Sequence, residues 1–130
     1  MALSTAKEIE ELADKLIAAA KEMDKKIIAA AKEKRISQED AQKASEKPAI
    51  LRQLAKGLYI DAINKTLQSV EGPQNELITI IDHAKNDIEK IDDIKKCLTI
   101  IAHLTELAAN TTALDAKGII ASVQKIKENV

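Results

Sequence analysis

The sequence predicts an all-α protein, an antiparallel up-down bundle of four helices, with a possible place for a short fifth around residues 38–46. Three observations carry this. The chain of 130 residues is 45% hydrophobic yet contains one aromatic residue, Tyr59, so the aromatic side chains that strands favour are nearly missing. Only three Gly and two Pro interrupt it, and Ala, Ile, Leu, Lys and Glu dominate, as in helices. Finally, Leu16–Ser37 is an eleven-residue repeat: LIAAAKEMDKK is followed directly by IIAAAKEKRIS, with six of eleven positions identical. Eleven residues make three helical turns to within about 20°, so the repeat sits on one long helix.

That first helix is predicted to begin at the capping box Thr5-x-x-Glu8 and to run to about Lys34. Ile9, Leu12, Leu16, Ala20, Met23, Ile27 and Ala31 share one side of it. Ile36-Ser37 breaks the pattern. Ser37-x-x-Asp40 is a second capping signal, so 38–46 forms either a short helix or the start of the next one. Pro48 suits a first helical position, where its missing N–H leaves nothing unpaired. The second helix is then expected from Pro48 to about Glu71, stopped by Gly72-Pro73. Leu51, Leu54, Ala55, Leu58, Tyr59, Ala62, Ile63, Leu67 and Val70 spread over two neighbouring sides of it.

Pro73 opens the third helix. Leu77, Ile81, Ala84, Ile88 and Ile91 hold one face, and the stripe shifts by about 60° at Ile94 and Leu98. The Lys95-Lys96 pair is unfavourable in a new first turn, because the helix dipole is positive there. The sequence therefore favours one helix, bent at Asp92-Asp93, as far as Ala109. Thr112-x-x-Asp115 caps the last helix, which carries Leu114, Ile119, Ile120, Val123 and Ile126. Helices of about 30, 24, 36 and 17 residues would reach unequal distances along the bundle axis. One end should then have exposed apolar residues. Gly57 and Gly118, inside helices, suggest close helix crossings.

The whole chain reads as one domain, long enough to build its own core. Twenty basic and 21 acidic residues balance. Without a basic face or aromatic stacking platform, no nucleic-acid partner is expected. A single cysteine, Cys97, excludes an internal disulfide and fits a small buried hydrophobe beside Lys95-Lys96. The first twelve residues carry charge where a secretion signal needs an apolar core, and no apolar run approaches the ~18 residues of a membrane span. The expected location is cytoplasmic.

Candidate chemistry is sparse. His83 and His103 lie about 30 Å apart if they share one helix, too far to hold one metal. No Glu-x-x-His pairs stand on two helices, as a carboxylate-bridged di-iron bundle needs. Asp82, Asp87, Glu89, Asp92 and Asp93 lack the glycine-centred calcium loop and read as a solvated face or an acidic docking patch. No phosphate loop, nucleophile elbow or catalytic triad is present. No catalytic, cofactor-binding or metal-ligating residue is therefore assigned, and no cofactor is expected.

Ala102-His103-Leu104 resembles the phosphorylated segment of histidine phosphotransfer domains, which are helical bundles of similar size. The resemblance implies an exposed phosphocarrier histidine followed by Lys and Gly at the third and fourth positions, where this chain has Glu106 and Leu107. A second resemblance lies in the first helix. Glu11, Glu22 and Glu33 centre its polar face, flanked by Lys15 and Lys26 on one side and by Lys21 and Lys32 on the other. That arrangement is similar to the helices of exchangeable apolipoproteins, and implies a bundle that opens on an anionic lipid surface. Glu11–Lys15 and Glu22–Lys26 are equally the favoured i,i+4 ion pairs of an ordinary surface helix. The leading expectation is a non-catalytic protein-interaction or scaffold module with a protein partner, or a homo-oligomer formed through the long third helix. The lipid-surface protein is the alternative, and the histidine phosphotransfer-like carrier the third reading.

Overall fold

The computed structural model describes residues 6–60, 74–112 and 116–129, and forms a helical bundle. Its elements are α1 (Ala6–Lys32), α2 (Gln38–Ile60), α3 (Gln74–Lys90), α4 (Ile94–Thr112) and α5 (Ala116–Asn129). Among the described residues there is no strand, as the composition predicts.

The eleven-residue repeat lies within α1 and its C-terminal turn, and the apolar side of that helix is the centre of the core. Ile9, Leu12, Leu16, Ala20, Met23 and Ile27 are buried as predicted, while Ala31 is half-buried. Ala13, Ala19 and Ala30 are buried as well, which widens the stripe. A helix buried over so broad an arc must be covered from several directions, and α1 packs on α2, α3 and α4. Alanine suits this position because it favours the helix and lets neighbouring backbones approach.

α1 ends in a Schellman motif. The Arg35 amide donates to the Ala30 carbonyl (2.9 Å) and the Lys34 amide to Ala31 (3.1 Å). Lys34 takes the left-handed conformation, φ 58°, where glycine is usual. Ser37 then caps α2, its hydroxyl accepting the Asp40 amide at 3.0 Å, as the capping signal predicts. This early cap decides where α2 begins. Residues 38–46 are its first turns, and Pro48 lies inside the helix rather than at its start. Proline there removes the amide that would bond the Ala44 carbonyl. Burial of both Pro48 and Ala44 accompanies that loss. The expected continuation to Glu71 and the stop at Gly72-Pro73 lie outside the described residues, as does the Thr5 cap.

The third predicted helix is two helices. The chain leaves helical form at Ile91-Asp92-Asp93, and Asp93 becomes the N-cap of α4, its carboxylate accepting the Lys95 amide at 2.9 Å. A cap contributes about 1 kcal/mol, whereas lysine near an exposed N-terminus costs only tenths. The cap outweighs the dipole argument against a break at this place. The fifth helix of the bundle thus comes from this division rather than from 38–46. Helices of 27, 23, 17, 19 and 14 residues also remove the 36-residue helix on which an uncovered bundle end was predicated.

Helix directions follow from paired residues. α2 runs against α1, with Arg52 bound to Asp24 while Ala41, Gln42 and Ser45 lie beside Ile27 and Ile28. α3 runs with α1, since Lys15 meets Asp82, Lys26 meets Glu89 and Arg35 meets Asp92. α4 and α5 are antiparallel, joined by Lys125–Glu106 and Asn110–Ser122. Ile81, Ala84 and Ile88 bring α3 into the core, Ile101, Leu104 and Leu107 bring α4, and Ile119 and Ile126 bring α5.

Candidate functional site

Three large apolar side chains are exposed among the described residues: Ile28 (55%), Ile50 (47%) and Ile120 (43%). Two of them border grooves, and the grooves have one cause. In the first half of α2 the apolar residue beside Ile27 and Ile28 is the small Ala41. Alanine opposite isoleucine leaves space that neither side chain fills. The result is a groove of about 330 Å³ with Ile27, Ala31 and Ala41 as its apolar lining, Ile28 at its edge, and Lys32, Gln38, Gln42 and Ser45 around it. On the opposite flank of α2 the same arrangement recurs. Ile50 faces Ala102 and Ala109 of α4, with Thr105 between and Lys47 and Glu106 at the rim, around a groove of about 270 Å³. The first half of α2 is thereby bordered by a shallow apolar channel on either side.

The α3–α4 joint is the second distinctive place. A helix end leaves carbonyls without amide donors, and here side chains from elsewhere supply them. Lys26 Nζ donates to the Glu89 carbonyl at 2.8 Å, and Arg35 Nη1 to the Asp92 carbonyl at 3.3 Å. The Cys97 thiol lies 3.6 Å from the Ile88 carbonyl and 3.4 Å from that of Ile91. Cys97 is fully buried, and that burial pushes its pKa above the usual thiol value, followed by opposing effects of Lys26, which lowers it, and Asp93 and Asp92, which raise it. A protonated, enclosed thiol is a poor nucleophile. Cys97 acts as the buried hydrophobe its position predicts and adds a weak donor to the joint.

These contacts revise the reading of the α1 polar face. Neither expected i,i+4 pair forms. Lys15 crosses to Asp82 (3.5 Å), Lys26 crosses to α3, and Glu22 is met by Lys25 (3.4 Å). An exposed pair within a helix contributes only tenths of a kcal/mol. A lysine that instead donates to a helix-end carbonyl ties α1 to the end of α3. One edge of the lysine frame therefore faces α3, while Lys21 and Lys32 remain exposed. The acidic run is likewise partly spent within the fold, Asp82 on Lys15 and Asp93 on the cap.

His83 and His103 fall on different helices, the first exposed on α3 and the second half-buried on α4. No group of three or more His, Cys, Asp or Glu side chains that could hold a metal occurs among the described residues. Glu106, one turn beyond His103, is paired with Lys125 at 3.1 Å. A carboxylate so near would repel a phosphate on the histidine.

Sequence reasoning missed the polar contact between α4 and α5. Asn110 Nδ2 donates to Ser122 Oγ at 2.8 Å, and the buried Thr111 hydroxyl donates to the Leu107 carbonyl at 2.9 Å. Ser122 lies on the same side of α5 as Ile119 and Ile126, a periodicity that places it toward the core.

Comparison with known protein families, with curated proteins and with solved structures finds no match to this chain. No helix among the described residues is long and apolar enough to cross a membrane.

Proposed function

We propose that this protein is a non-catalytic, cytoplasmic interaction module that receives a helix of a partner protein in the groove between α1 and α2. The observation that carries this reading is Ile28, a large aliphatic side chain more than half exposed at the edge of that apolar groove. An amphipathic helix recognises such a groove through apolar residues three and four apart. Lys32, Gln38 and Gln42 supply the polar rim that fixes its orientation. Unequal helix lengths play no part in this surface; small residues opposite large ones create it. The lone free thiol fits a reducing compartment.

The lipid-surface reading has less support. It requires α1 to part from its neighbours, with Lys15 and Lys26 giving up their contacts on α3. The two readings separate in one experiment. Tagged wild type and Ile28→Glu are captured from native cells, and co-purifying proteins and lipids are both measured. A stoichiometric protein retained by wild type and lost by Ile28→Glu is the expected result. Lipid enrichment with no such protein would overturn it.

A further inference from the structure

We infer that the α3–α4 joint is a hinge that straightens, allowing two copies of this chain to exchange their α4–α5 pairs. The inference is independent of the α1–α2 groove and rests on three features of the joint.

The first is local. From Gln74 to Thr112 the chain contains neither Gly nor Pro, so nothing in residues 91–93 forbids a continuous helix. In that helix Asp92 precedes Lys96 by four residues, the favoured order for an ion pair. Ile88, Ile91, Ile94 and Leu98 would fall three or four residues apart along it, a usable apolar stripe.

The second is the distribution of packing. α3 rests mainly on α1, whereas α4 rests on α2, α5 and α1. α3 and α4 make little contact with each other. Little direct α3–α4 packing therefore holds the joint bent; what straightening breaks is the packing of α4 and α5 on α1, α2 and α3. An α4–α5 pair swung away from its own chain carries the buried faces of Ile101, Leu104, Leu107, Ile119 and Ile126. Only a surface shaped like its own α1–α3 unit covers those faces again, and a second copy presents that surface. Exchange restores every contact except those of the joint.

The third is the balance of hydrogen bonds at the joint. Closed, the carbonyls of Glu89 and Asp92 accept from Lys26 and Arg35, and those of Ile88 and Ile91 share the single weak S–H of Cys97. Straightened, the same carbonyls take amide donors from the next helical turn. One set of partners replaces the other, and Asp93 tips the choice toward the break. Its carboxylate caps α4 only when the helix is broken.

The test is light scattering coupled to gel filtration on the full chain, after refolding from urea at high and low concentration. Wild type is expected to yield a dimer fraction at high concentration that persists on dilution, because exchange back requires unfolding. Asp93→Ala removes the cap and should raise the dimerisation constant by about 5-fold per joint, or about 25-fold per dimer. Asp92→Pro, tolerated in the break but not in a continuous helix, should lower it by more than about 100-fold per chain. Should the proline variant fail to fold, Asp92→Gly gives the same direction at about 2-fold per chain. Circular dichroism checks that each variant retains its helix content. Wild type that stays monomeric under both refolding conditions overturns the hinge. So does a dimer that survives Asp92→Pro, and one dissolved by Ile28→Glu would instead belong to the groove.

Discussion

Replacing Gly57 with alanine should make this protein more stable. Gly57 lies inside α2, and a Cβ built on it meets nothing within 4 Å. The added methyl therefore neither clashes nor gains contacts, and the effect reduces to helix propensity and the entropy of the unfolded chain. Alanine is favoured over glycine in a helix interior by about 0.5–1 kcal/mol. For a domain of this size that raises the thermal midpoint by about 2–5 °C. Urea unfolding followed by helical circular dichroism measures the change, with an unaltered slope showing that the unfolded state is equally exposed. An unchanged or lowered midpoint would refute the reasoning. It would mean that the space beside Gly57 is filled in solution, by another part of the chain or by a second molecule.

Two further predictions use the same assay. Lys34→Gly relieves a left-handed lysine at the end of α1 and should add about 1 kcal/mol; a loss would show that the lysine side chain itself holds the turn. For Cys97 the sign follows from burial, which raises the folded pKa above the ordinary thiol value of 9.0. The folded chain then holds the thiol proton more tightly than the unfolded chain. This contribution is present in full below the unfolded thiol pKa and is lost as pH rises through the folded one. Unfolding midpoints of wild type should fall more steeply on that alkaline limb than those of Cys97→Ala, and parallel limbs would refute the assignment.

Much of the bundle was legible from periodicity, because burial of one helical side imposes a 3.6-residue pattern on any chain. The α1 stripe from Ile9 to Ile27 and the interior place of Cys97 follow from it, and the Ser37 cap follows from its own Ser-x-x-Asp signal. The errors occurred where a local preference competed with a neighbour in space. Pro48 looked like a helix start because proline is well placed there, but Ser37 had already begun the helix and the core holds the ring. The break at residues 91–93 looked unfavourable because only the charge of Lys95-Lys96 was weighed. Capping by Asp93 and donors from Lys26 on α1 and Arg35 just beyond it, 63 and 57 residues away in sequence, stabilise it. Gly57 suggested a close helix crossing, but among the described residues nothing lies within 4 Å of a Cβ placed there. The groove was illegible for a related reason: that Ala41 lies opposite Ile27 and Ile28 depends on the register of α1 against α2, which a single sequence does not state.

The central position of α1 also governs how the molecule comes apart. Because α2, α3 and α4 all rest on it, none of them departs without wetting part of its alanine-rich stripe, and α1 itself departs only when all three are released. Its amide hydrogens are therefore exchanged with solvent through global unfolding alone. α5 rests mainly on α4 and α3, so it can peel away while the others remain assembled. The earliest exchange in the core belongs to the end of the chain, and the slowest to its beginning.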